Sequence, residues 1–278
     1  MKQKIIILMA GILMLASCSN REDVQADDVV TLRFQTWDMK IDPMTRSGLN
    51  LADFATHLDI WVVNGTDVQQ VHQVSTQAGY GTVQLTLNKT KTYTLYAVAH
   101  RCTEAASLSE GIVSFPDEKV TQSFFATATL TPATSTSQDV TLNRIVGMFR
   151  LETTDAVPDN VTKFQLSVPQ AYTRWNVSGS GANHTDRVST INISNKNNDG
   201  SVSLNLYIIP SSLTATDTYD ITVSALTATD DVVETKVFQD VQIKANYKTV
   251  YSGMFFTTSA MQVSFDLLDW QTFSTVEF

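Results

Sequence analysis

Cysteine is nearly absent from this sequence. Cys18 and Cys102 are the only two in 278 residues, so no disulfide framework can hold the chain and a hydrophobic core must do so instead. Basic clusters are missing too. The 19 Lys and Arg residues face 28 Asp and Glu, leaving a net charge of -9. With no basic run anywhere, the chain offers nothing to nucleic-acid phosphates. The four histidines, His57, His72, His100 and His184, lack the paired spacing of zinc sites, and each reads as a surface or satisfied residue. No G-x-S-x-G elbow occurs, because "VSGSGAN" places its serine differently, and no glycine-rich loop joins a strand to a helix. The reading is of a protein with no catalytic residue, no metal and no cofactor. Long helical periodicity is scarce as well; "NLADFATHL" could hold a short helix or a loop.

The longest apolar run, Ile5 to Ser17 in "IIILMAGILMLASCSN", falls short of the roughly 20 residues a membrane-crossing helix needs. Lys2 and Lys4 precede it and small residues end it, which is the order of a secretory signal. "LASC" resembles the lipobox of bacterial lipoproteins. That resemblance implies cleavage after residue 17, acylation of Cys18, and attachment of the mature chain to the outer membrane at the cell surface. Loss of residues 1–17 takes Lys2 and Lys4 away and moves the charge from -9 to -11, so attachment must come from the acyl chains rather than from anionic headgroups. The acidic stretch that follows, with Glu22, Asp23, Asp27 and Asp28, reads as a disordered tether over residues 18–28. Cys102, ending "YAVAHRC", is then the remaining thiol and a buried small hydrophobe.

What the sequence holds in abundance is period-two alternation. "VVTLRFQTW", "LDIWVV", "TVQLTLN", "YTLYAVA", "KFQLSV", "VSLNLYII", "YDITVSAL" and "QVSFDLL" set large apolar residues against Thr, Ser, Gln or Asn, the pattern of half-buried strands. Turn chemistry separates them, as at Asn64-Gly65 and Asn198-Asp199-Gly200. The class is all-β, built as sandwiches. The halves echo one another. Gly81 to Leu87 is answered by Gly200 to Leu206, and Thr92 to Ala99 by Thr218 to Ala225. Two similar domains follow, residues 29–139 and 140–278, joined near "TPATSTSQ".

The lipobox, "TYTLYAVAH", the joint "VTLNRIVGMFRLETTD" and "YSGMFF" together resemble the fimbrillin-type pilus proteins and their anchor and tip relatives. That resemblance implies two tandem Greek-key, transthyretin-like β-sandwiches. It also implies a fimbrial subunit that joins other fimbrial subunits by strand exchange and serves adhesion to a host or bacterial surface receptor. In such proteins an Arg-specific protease cuts a loop after the first strand. Here Arg46, between Pro43 and Gly48, is the candidate; uncut, the chain would resemble the anchor subunits. Val263, Phe265 and Leu267 alternate on one face of the C-terminal segment and are the candidate donor strand, the alternative being that they fill the chain's own second sandwich. A second class is a glycan-binding surface lipoprotein of the same architecture. Trp37, Tyr80, Tyr172 and Trp175 are its candidate stacking aromatics, and "QAYTRWNVSGSG", with Tyr172, Arg174 and Trp175, is the best stretch. Asp230 and Asp231 read as a hairpin turn, with calcium as the alternative. Six N-x-[ST] sequons reflect Thr-rich composition.

Overall fold

The computed structural model describes residues 29–36, 51–133, 137–257 and 266–269. Cys18, Trp37, Arg46, Val263 and Phe265 lie outside these. The chain is all-β. Its first half contributes β1 (Val29–Thr36), β2 (His57–Asn64), β3 (Asp67–Val74), β4 (Thr82–Thr86), β5 (Tyr93–His100), β6 (Ser107–Ser109), β7 (Ile112–Ser114), β8 (Ser123–Leu130) and β9 (Ser137–Arg144). The second half contributes β10 (Gly147–Thr153), β11 (Lys163–Asn176), β12 (Ser180–Asn192), β13 (Ser203–Ile208), β14 (Thr216–Leu226), β15 (Val232–Lys244), β16 (Tyr247–Gly253) and β17 (Asp266–Asp269). The "NLADF" stretch holds a single 3-10 turn, Leu51–Asp53.

Seven strands of the first half run in the order β3-β2-β5-β8-β9-β1-β4. Between β8 and β9 the pairing is confined to Phe124↔Arg144 and Phe125↔Asn143, and there the sheet folds over. Residues alternating inward from both layers then share one core, Val30, Leu32, Val83 and Leu142 from one side and Leu58, Ile60, Leu95 and Phe124 from the other. The outer strands β3 and β4 meet through side chains: Gln69 Nε2 donates to Thr86 O at 3.3 Å and Gln73 Nε2 to Thr82 O at 3.0 Å. Those glutamines occupy an edge that would otherwise invite pairing.

The second half repeats this plan. β1 pairs antiparallel with β4 and parallel with β9, as β10 does with β13 and β16. β2 lies between β3 and β5, as β11 lies between β12 and β14. The register agrees with the sequence echo as well. Leu58 opposes Ala99 and Ile60 opposes Ala97; Phe164 opposes Ala225 and Leu166 opposes Val223. The second core, with Phe149, Phe164, Phe238, Tyr251 and Phe255, fills the space between the sheets.

Among the described residues the hairpin β6–β7 has no counterpart in the second half. It leaves its own sandwich and pairs with β11, Val113 opposite Trp175, on the edge whose earlier residues Lys163–Ser167 hold β14. A third core seals this junction, with Trp61, Val98 and Phe125 from the first half, Val113 of the hairpin and Phe115 beside it, and Trp175 and Ile209 from the second. The joint Ile145-Val146 is buried in it too. The division expected at 139/140 falls inside β9, whose residues through Leu142 pair with β1.

Candidate functional site

A cavity of about 570 Å³ opens between the halves, walled by the 117–121 segment of the first and by β12 and β13 of the second. Its floor is Arg187, which alternation on β12 turns inward opposite Val168. Arg187 is only 9% exposed. Its Nη groups donate to two main-chain carbonyls, those of Tyr207 and Val120, the latter at 3.2 Å. Burial pulls its pKa down to about 10, because the charged form has lost water without gaining an anion. Thr121, Thr173, Thr185, Ser189 and Thr190 are among the residues of its walls. At the rim Arg174 donates to Glu118 at 2.7 Å, and Asn183 Nδ2 reaches Thr173 Oγ1 at 2.9 Å.

A second polar cluster lies beneath the loop that leads into β6. Three histidines that looked scattered in sequence converge there because β3, β2 and β5 are neighbours in the sheet. Buried Asp59 accepts from His72 Nδ1 at 2.7 Å, from His100 Nε2 at 2.9 Å and from the Ala106 amide at 2.9 Å. The His57 ring stacks between His72 and His100 with centroids 5.3 Å from each. The Cys102 amide donates to His100 Nδ1 at 3.1 Å. That places the ring proton on Nε2 and leaves the imidazole neutral. Burial opposes a second proton, the Asp59 carboxylate favours one, and the Cys102 amide already occupies its position. Cys102 offers His100 its amide and not its thiol, whose Sγ lies 3.3 Å from Lys119 O. The residue types of a Cys–His–Asp triad are present, but the geometry pairs no nucleophile with a base. Among the described residues no group of His, Cys, Asp and Glu is arranged to hold a metal ion. Asp230 pairs with Lys163 at 2.6 Å, and Asp231 accepts from Thr229 Oγ1 at 2.7 Å, so both serve the β14–β15 turn.

The sequence candidates for sugar contact separate. Tyr172 is half-buried on β11, packed on His184 with ring centroids 3.9 Å apart. Gly181 makes room for it, since a Cβ there would stand 2.6 Å from Tyr172 Cγ. Arg174 lies at the cleft rim. Trp175 is a correction: it is 0% exposed in the junction core, and a ring with no free face cannot stack on a sugar. Tyr80 is spent on the first sandwich, its hydroxyl donating to Ala55 O at 3.0 Å. Arg187 carries no signal in the sequence, because polar strands such as "NHTDRVST" show no burial pattern; only its placement across the junction buries it. Of the donor candidates, Leu267 lies in β17, which runs antiparallel along β16 with Leu267 opposite Thr249.

No family model matches the chain, and no curated protein does. Solved structures do. A candidate cell adhesion protein of Bacteroides ovatus superposes with a TM-score of 0.52 at 11% identity, over 90% of this chain and 100% of that one. Candidate polysaccharide-binding proteins of Bacteroides thetaiotaomicron give 0.50 at 10% identity, over 81% and 91%. The tip fimbrial protein of Porphyromonas gingivalis, truncated at its C-terminus, gives 0.41 at 11% identity, over 87% and 98%. What this chain shares with the first two, across nearly the whole of each, is the fold.

Proposed function

We propose that the chain is a non-enzymatic surface lipoprotein, lipidated at Cys18, and a fimbrial subunit that assembles by β-strand exchange and contributes to adhesion. The observation that carries this reading is the position of β1. It is an inner strand, with β4 on one side and β9 on the other, and it buries Val30 and Leu32. Losing it uncovers two rows of backbone groups and an apolar groove, at about 1.5–3 kcal/mol for each buried side chain removed. Only another strand restores both. β17 is the strand to give, since among the described residues β16 is its single pairing partner. The fold shared with a candidate cell adhesion protein supports the same reading.

The test is trimming with an Arg-specific protease. Cleavage at Arg46 should turn monomers into oligomers whose size rises with concentration, and Arg46→Ala or deletion from Met261 onward should prevent it. Trimmed protein that stays monomeric would exclude strand exchange by this route and leave the uncut, lipid-retaining anchor. Fatty-acid labelling lost in Cys18→Ala checks the lipid.

The cleft favours a second reading, a glycan-binding surface protein. Its Thr- and Ser-rich walls and its position between the halves are those of a ligand site, and the fold is shared with candidate polysaccharide-binding proteins.

A further inference from the structure

The charge inside the cleft is unbalanced. Arg187 is nine-tenths buried, and its two hydrogen-bond acceptors are neutral carbonyls. A cation taken out of water and given no anion keeps its desolvation cost. The carboxylates on the lining are committed or exposed. Glu118 accepts from Arg174 and Asn183, Asp186 accepts from the main chain and side chain of Gln170, and Asp117 is exposed. Of the other cations on the lining, Arg101 donates to the main-chain carbonyls of Asp53 and Phe54 and Lys119 is exposed, so Arg187 is the buried charge there. A guanidinium with N–H groups still to give is suited to a carboxylate. The remaining lining favours a polyol, because Thr185, Ser189 and Thr190 carry hydroxyls able both to donate and to accept. The volume, about 570 Å³, lies within the range of small-ligand pockets.

We propose that this cleft binds a uronic-acid oligosaccharide, with Arg187 taking the sugar carboxylate and the Thr and Ser hydroxyls taking the ring hydroxyls. The proposal rests on the glycan-binding reading and adds the ligand class. Because the walls come from both halves, the bound sugar bridges them.

Calorimetric titration of the full-length chain in detergent with trigalacturonate, maltotriose and triglutamate tests it. Trigalacturonate should bind, more weakly as salt rises, while the neutral sugar and the acidic peptide should not bind at the same concentrations. Arg187→Gln should weaken binding by about 10- to 100-fold, the worth of a charged hydrogen bond. Ser189→Tyr fills the cleft from the same strand face and leaves Arg187 in place. It should abolish binding with the melting curve unchanged, and it serves where Arg187→Gln fails to fold. Equal binding of triglutamate, or unimpaired binding by folded Ser189→Tyr protein, overturns the proposal. If maltotriose binds as well as trigalacturonate, the glycan-binding reading stands and the role of Arg187 falls. If neither sugar binds at millimolar concentration, both fall.

Discussion

Asp59 Oδ2 and His100 Nε2 lie 2.9 Å apart with both side chains fully buried. The same carboxylate also holds the Ala106 amide, one residue before β6. One side chain thus ties the core of the first sandwich to the hairpin that crosses to the second. Asp59→Ala leaves the donors of His72, His100 and Ala106 without an acceptor, two of them inside the protein. The expected loss is about 3 kcal/mol or more, read by denaturant unfolding. Faster amide exchange in residues 107–114 would mark the loosened hairpin.

Stability should fall on the acid side through His57. Burial holds its pKa below the ordinary 6.5. The unfolded chain therefore binds this proton more readily, so the contribution is present above pH 6.5 and is lost as the pH falls below that value toward the folded pKa. In His57→Gln the stability difference between the two sides of pH 6.5 should shrink. An unchanged difference would assign the acid limb to other groups.

Gly147 begins β10 with no space for a side chain. A Cβ there would lie 2.6 Å from Lys244 O and 2.9 Å from Ile243 Cγ2. The carbonyl is main chain and cannot swing aside, so Gly147→Ala should cost about 1–3 kcal/mol and lower the melting temperature.

Trp175 contributes bulk to the junction and not a hydrogen bond, since its Nε1 is buried without a partner. Trp175→Ala should cost about 3–5 kcal/mol. Trp175→Phe should cost much less, because it removes an orphaned donor along with part of the ring. Equal losses in thermal melts of the two variants would show that the indole's full shape is needed.

The chain should divide after β9 and not within it. A fragment ending at Arg144 keeps the pairing of Phe34, Gln35 and Thr36 with Val140, Thr141 and Leu142, whereas one ending at Asp139 loses it. Only the longer fragment should melt cooperatively. It should also be less stable than in the whole chain, because the third core is left half open.

Alternation alone was enough to reveal the central strands. In β4, β5, β11, β13 and β14 an inward apolar residue every second position meets a core whichever way the sheets are arranged, and the repeat between halves follows from that regularity. β3, β12 and β15 were not legible, since they are polar strands such as "DVQQVHQV" whose strand form comes from hydrogen bonds to a neighbour. The sites follow the same division. Trp175 carried an aromatic's promise in the sequence, and the junction buried it. Arg187, His57, His72 and His100 carried no signal, because what makes them a site is the adjacency of strands far apart in the chain. Side-chain chemistry along one strand is written locally, so the sequence by itself determined the all-β class and its duplication. Which faces meet across the two halves depends on how whole sheets pack, and that only the tertiary structure decided.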